Sequence, residues 1–172
     1  MLRFAYVRSR RFNGGPAYSP DTNLLYMNGI DWCAQAIKGP TPEYVEGKPY
    51  LGWANGYGNR DSIEQAFGLV NAIDAASGRL VWRYGISSPA VAGLTATAGG
   101  LVMTGDVNGE FIALDAATGA PLYQSNLGLG AIDSGVVTYE VNGKQFIAVA
   151  TGDNNAGYKA GGDNTIVVFA PP

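Results

Sequence analysis

Apolar residues in this chain recur in short runs with a period of two, broken by polar turns, and almost nowhere with a helical period. From Leu101 the text reads LVMTGDVNGEFIALDAATGAPLY, three apolar runs separated by the turns DVNG and DAATG. Short β-branched runs bounded by Asp, Asn and Gly are strand signals, and two such turns in succession make an antiparallel meander. Upstream, GLVNAIDAASGRLVW (68–82) supplies the last two strands of the same pattern. Downstream, GVVTYEVNGKQFIAVATG (135–152) reads as a hairpin with Asn142 and Gly143 at its turn, and TIVVF (165–169) as one more strand. Nearer the N-terminus, AYSPDTNLLYMNG reads as a strand introduced by a Pro-Asp turn. Only RDSIEQAFG (60–68) has the composition for a turn or two of helix, and residues 38–60, rich in Gly, Pro and Tyr, read as a long surface excursion.

The pattern also repeats. Residues 72–82, AIDAASGRLVW, return as ALDAATGAPLY at 113–123, an offset of 41 positions. A period of about 40 residues with four short strands per unit is the signature of a β-propeller blade, a small sheet that must pack on its neighbours because it cannot cover both faces alone. The expected fold is therefore all-β: a partial β-propeller over residues 1–172, of about three four-stranded antiparallel blades, with no linker dividing it. Propellers close with about four to eight blades, so this stretch forms an open arc. Each residue of the repeated phrase has a mechanical role. Ala72 and Ala113 keep the strand end small, Ile73 and Leu114 fill the layer between sheets, and Asp74 and Asp115 close the turn through backbone N–H groups. Gly78 and Gly119 supply positive φ, and Trp82 and Tyr123 offer a flat face to the neighbouring blade.

Composition narrows the chemistry. The chain has 172 residues, 47% of them hydrophobic, with 25 glycines and nine prolines, which fits a folded domain with many tight turns. A net charge of -3 offers no broad basic face for nucleic acid, and the cluster Arg3, Arg8, Arg10 and Arg11 reads as a solvated end. With no histidine and the single cysteine Cys33, disulfides within the chain, Cys/His zinc sites, CxxCH haem attachment and histidine bases are all excluded. No apolar run approaches the roughly 20 residues of a membrane span, and no export signal is visible. Cys33 reads as a small buried hydrophobe. Asp106, Asn108 and Gly109 resemble the opening of an oxygen-ligand calcium loop, but no bidentate Glu follows at the required position, so a hairpin turn is expected.

The repeated A-x-D-x-x-[ST]-G-x-x-x-[WY] phrase resembles the tryptophan-docking motif of the quinoprotein alcohol dehydrogenases, which use pyrroloquinoline quinone (PQQ) and calcium. GGPAYSPDTNLLYMNGIDWC (14–33), AGLTATAGGLVMTGDVNGEFIALDAATG (92–119) and GVVTYEVNGKQFIAVATG (135–152) are similar to the C-terminal third of that family, in the family's order. The resemblance implies an eight-bladed propeller with PQQ in a central funnel and calcium beside it. It further implies an Asp base, hydride transfer to the quinone, electron transfer to a cytochrome and a periplasmic location. The calcium ligands, the catalytic Asp, the adjacent-cysteine ring disulfide and the tryptophan under the quinone belong, by the same resemblance, to sequence preceding residue 1. The expected partners are therefore the missing N-terminal blades, or further copies of the chain, and the cytochrome acceptor.

Two residues are cofactor-binding candidates on this basis. Asn13 stands nearest the position of the family's Asn-Trp pair, although RFNGGPAYSP has no Trp. Asn155, in GDNNAGY (152–158), falls in a loop that reaches the cofactor in relatives. Where several members place a Trp near the quinone, this chain has Val91 and Ala92. A non-catalytic propeller scaffold or peptide-binding module, needing only the docking repeat, is the alternative function.

Overall fold

A computed structural model describes residues 3–4, 15–35, 43–48, 61–153, 158 and 160–170. It contains the strands β1 Arg3–Phe4, β2 Ala17–Ser19, β3 Leu24–Asp31, β4 Ala34–Gln35, β5 Phe67–Asp74, β6 Leu80–Ile86 and β7 Thr95–Ala96. These are followed by β8 Leu101–Gly105, β9 Glu110–Asp115, β10 Pro121–Asn126, β11 Val136–Val141, β12 Lys144–Thr151 and β13 Thr165–Phe169. The expected helical stretch is a single 3-10 turn, Ile63–Gln65.

The strands form three antiparallel sheets in chain order, β2-β3-β5-β6, β7-β8-β9-β10 and β11-β12-β13, beside a two-stranded β1-β4 ribbon. Each of the three is a meander whose turns follow from local sequence. Asn142 and Gly143, at φ 52° and 76°, close the β11–β12 hairpin with Val141 opposite Lys144, the left-handed pair that a two-residue hairpin demands. The Pro-Asp turn joins two strands, β2 and β3, rather than introducing one, and Asn23 at φ 53° ends it. The third sheet has three strands among the described residues where four were expected.

One device recurs that the sequence pattern alone does not reveal. Trp82 pairs with Ala72 but Leu80 with Ile73, so Val81 is bulged; Tyr123 pairs with Ala113 but Pro121 with Leu114, so Leu122 is bulged. A bulge inserts one residue and re-aims the side chains beyond it. Val81 and Leu122 are therefore exposed, and Trp82 faces the core between the first and second sheets.

Strict alternation in the middle sheet builds two cores. Val102, Ile112 and Leu114 join Leu24, Tyr26, Val70 and Ala72 of the first sheet. Met103, Phe111 and Ala113 join Val136 and Val149 of the third. The end sheets keep apolar side chains on their outer sides. Tyr18, Met27 and Phe67 are exposed on the first sheet, and Val137, Tyr139, Ile166 and Val168 on the third.

Candidate functional site

Antiparallel meanders sort their connections to two ends. The turns at 20–23, 75–79, 97–100, 116–120 and 142–143 lie at one end, and the connections 87–94, 106–109 and 127–135, with the chain leaving Asp31 and Thr151, at the other. Hydrogen bonds keep the two sets apart. At the turn end, Ala75 N–H donates to Asn23 O at 3.0 Å and Ala116 N–H to Gly100 O at 2.8 Å. At the loop end, Val107 N–H donates to Pro89 O at 3.0 Å, Ile132 N–H to Asp106 O at 2.9 Å and Asp163 N–H to Leu129 O at 2.8 Å.

The repeated phrase belongs wholly to the turn end. Asp74 Oδ1 accepts from the Ser77 N–H and hydroxyl, both at 2.7 Å, and Asp115 Oδ1 from the Thr118 N–H at 2.8 Å and hydroxyl at 2.7 Å. The Ser77 hydroxyl and N–H hold the Asp74 carboxyl below its ordinary range, and Thr118 does the same for Asp115. Both carboxylates are spent on closing turns, as their repeated register suggests. Trp82 then docks on the second sheet: its indole N–H donates to Ala116 O at 3.0 Å, and its ring lies against Gly119. Tyr26 packs at 5.7 Å between ring centroids, and its hydroxyl donates to the same carbonyl at 3.0 Å. Burial raises the pKa of that hydroxyl.

Tyr123, in the matching position of the second sheet, departs from the expected docking. It meets Phe111 and Phe169 with centroids 6.2 Å away, but is 49% exposed. The described residues of the third sheet include no turn between a third and fourth strand, and such a turn is what Trp82 rests on.

The loop end is where a ligand-facing surface can form, since its connections are long and carry the irregular sequence. Its frame is rigid. Asp106 is buried; its Oδ1 accepts from Asn108 N–H at 2.9 Å and Glu110 N–H at 2.8 Å, and its Oδ2 from the Ser88 hydroxyl. This is the hairpin turn expected from sequence, with the carboxylate committed to backbone. Gly109 sits where an added Cβ would lie 2.5 Å from Gly130 O, so the second hairpin and the 127–135 connection pack backbone on backbone.

Two aromatic rings also meet here, from the first and third sheets. Trp32 follows β3, and its indole N–H donates to Asp61 O at 2.9 Å, while Asp61 N–H donates to Cys33 O at 3.0 Å. The clasp closes the long excursion and sets the Trp32 ring 5.9 Å from that of Tyr158, at 32°. Tyr158 belongs to the connection that contains Asn155. Sequence reading passed over both rings, because 126 residues separate them and no local signal links them. Cys33 is half-buried and in no disulfide.

Asn13 and Asn155, the two cofactor-binding candidates, lie outside the described residues. Val91 is half-buried, and Ala92 is buried with its carbonyl accepting from the Asn28 side-chain amide and, at 3.3 Å, from the Thr104 hydroxyl. Among the described residues no three His, Cys, Asp or Glu side chains come together for a metal. The one nearby motif of calcium character has its Asp106 oxygens occupied by protein donors. These residues do not fit a calcium site, and no catalytic step is assigned through one.

Comparison with known proteins places this geometry. The PQQ_2 family model, described as outer membrane protein assembly factor BamB, matches residues 66–169. The quinoprotein alcohol dehydrogenase PedE of Pseudomonas putida is 37% identical over 147 residues, which is 86% of this chain and 23% of that protein. The quinoprotein ethanol dehydrogenase of Pseudomonas aeruginosa is 35% identical over the same shares. The crystal structure of quinohemoprotein alcohol dehydrogenase from Comamonas testosteroni superposes with a TM-score of 0.73 at 24% identity, over 91% of this chain and 25% of that one. The chain thus spans about a quarter of the length of the relatives it matches.

Proposed function

This chain belongs to the PQQ_2 family and is homologous to quinoprotein alcohol dehydrogenases over most of its length, and from that premise we propose that it forms part of a PQQ-dependent alcohol dehydrogenase. The observation that carries the reading is the continuous 37% identity over 147 residues with one such enzyme, of which it covers 23%. In this reading the three sheets are consecutive blades in the wall of a propeller of about eight, and their loop ends face the funnel.

PQQ supplies the hydride acceptor when bound, and the electrons leave to a cytochrome. The residues of this chain hold one side of the funnel. Asn13 and Asn155 make the cofactor contacts proposed for it, and the Asp106 hairpin anchors the 127–135 connection. The base and the calcium ligands come from polypeptide outside these residues, and the enzyme works in the periplasm. The chain alone is inactive, and it associates with the complementary blades or with further copies of itself.

The description of the family model favours a second reading, a non-catalytic scaffold of the assembly-factor type. The AYSPDTNLLY and GKQFIAVATG segments support the dehydrogenase instead, since a scaffold needs only the docking repeat. Isothermal titration with PQQ and calcium, with a dye-reduction assay on a primary alcohol, tests the proposal. Weak or no binding and no turnover are expected of the isolated chain. Tight binding with turnover would mean that a complete active site lies within these residues.

A further inference from the structure

We propose that Asn28 and Thr104 hold a single buried water molecule between the first and second sheets, the water donating one hydrogen to Asn28 Oδ1 and the other to Thr104 Oγ1. The inference holds for either function, because it rests on the packing of two sheets and not on a cofactor.

Asn28 breaks the apolar pattern of β3. It follows Leu24 and Tyr26 at the alternate positions that face the core between the first and second sheets, and it lies opposite Val70, which is fully buried. Its side-chain amide donates to Ala92 O. That bond fixes the amide, since turning it over would set two acceptor oxygens against each other. Oδ1 is therefore the atom turned away from Ala92 O, buried and with no hydrogen-bond partner among the described residues. A buried amide oxygen left unpaired keeps the full cost of leaving water, and native proteins almost always meet that cost with a partner.

The donors around Ala92 are already committed. The Thr104 hydroxyl reaches the same carbonyl from the second sheet at 3.3 Å. The N–H groups of Ala92, Gly93 and Leu94 donate to Gly105 O at 3.2 Å, Ser134 O at 3.1 Å and Gly15 O at 3.3 Å. Water is the donor that remains, and a buried water needs at least two polar partners. Thr104 supplies the second: it is fully buried, and a hydroxyl that donates keeps its lone pairs as acceptors. Because Asn28 and Thr104 meet at Ala92 O, one water spans them. A larger occupant is disfavoured by the close packing beside it. Gly68, next to Val70 on the core face of β5, approaches so near that an added Cβ would lie 2.6 Å from Ala90 N. The water thereby braces the Ala92–Leu94 segment, whose three N–H groups tie together the chain entering the first sheet, the second sheet and the chain entering the third.

The test counts long-lived water in the 172-residue chain by oxygen-17 relaxation dispersion, with water itself as the probe, and reads NOEs between water and the Asn28 side-chain amide protons in nitrogen-labelled chain. The unsubstituted chain is expected to show that NOE. Asn28→Leu and Thr104→Val are each expected to hold one long-lived water fewer. Thr104→Val preserves the outline of the side chain, so it decides the matter should Asn28→Leu fail to fold. Absence of the Asn28 NOE in the unsubstituted chain would overturn the proposal. So would a water count unchanged in Thr104→Val, even if Asn28→Leu lowered it, because the water would then bridge Asn28 to something other than Thr104.

Discussion

The ring of Trp82 lies so close over Gly119 that a Cβ added there would stand 2.6 Å from it. Gly119 also has φ 74°, whereas Gly78, its counterpart in the first sheet with φ 71°, has open space around it. The repeated glycine thus does one job at Gly78 and two at Gly119. Gly78→Ala should cost about 1–2 kcal/mol, the left-handed backbone penalty. Gly119→Ala should cost about 1–3 kcal/mol more, because the indole must move. Urea denaturation of the two variants measures the difference, and equal losses would show that Trp82 does not depend on the space above residue 119.

Tyr26 and Trp82 both donate to Ala116 O. Either single change, Tyr26→Phe or Trp82→Phe, leaves that carbonyl one partner and should cost about 1 kcal/mol. Together they leave it none, so the double variant should lose more than the two singles combined, by about 1 kcal/mol. Strict additivity in a double-mutant cycle would dissolve the shared acceptor. Trp82→Ala, which also removes the ring from the core, should cost about 3 kcal/mol, at the low end for a large aromatic because Trp82 is only half-buried.

The turn carboxylates set an acid limit. Asp74 and Asp115 are held below the ordinary Asp value of 3.8 by hydrogen bonds from Ser77 and Thr118. Above 3.8 both carboxyls are ionised in the folded and the unfolded chain, and the turn contribution is complete. As pH falls, the unfolded chain takes up protons first, so stability drops through the folded pKa. Asp74→Asn with Asp115→Asn should flatten the acid limb of a melting-temperature profile by lowering the melting temperature near neutrality, where the carboxylates act, while changing little at low pH. An acid limb of unchanged steepness would exclude these two groups as its source.

Asp106 is a structural acceptor rather than a cation ligand. Asp106→Ala strands the donors of Ser88, Asn108 and Glu110 in a buried turn and should cost about 2–4 kcal/mol. Calcium or a chelator added to the native chain should leave its melting temperature unchanged. A rise with calcium that Asp106→Ala abolishes would restore the metal reading.

Sequence patterning reached whatever is decided within a few residues. The Asx turns at Asp74 and Asp115, the Asn142-Gly143 hairpin and the antiparallel meanders follow from side chains that bond to their own neighbourhood. Tertiary choices lay beyond it. The bulges at Val81 and Leu122 are invisible in the apolar pattern because both residues are apolar, yet they decide which way Trp82 and Tyr123 face. The shared acceptor Ala116 O is 90 residues from Tyr26, and the Trp32–Tyr158 contact joins sheets that are not neighbours in the chain. The docking motif that carried the family resemblance lies at the turn end, opposite the loops to which the cofactor contacts are proposed to belong. Its residues therefore reveal the fold and carry no information about a ligand.

The central claim, that this chain is a section of the PQQ-binding propeller wall of an alcohol dehydrogenase, is tested most directly by transplanting it. A chimera of PedE in which the matching 23% is replaced by this chain would be purified with PQQ and calcium, and assayed for bound quinone and for dye-linked alcohol oxidation. The account predicts a folded chimera that holds PQQ and oxidises alcohol, with both signals reduced by Asn155→Ala. A chimera that folds with the thermal stability of the parent yet binds no PQQ would contradict it.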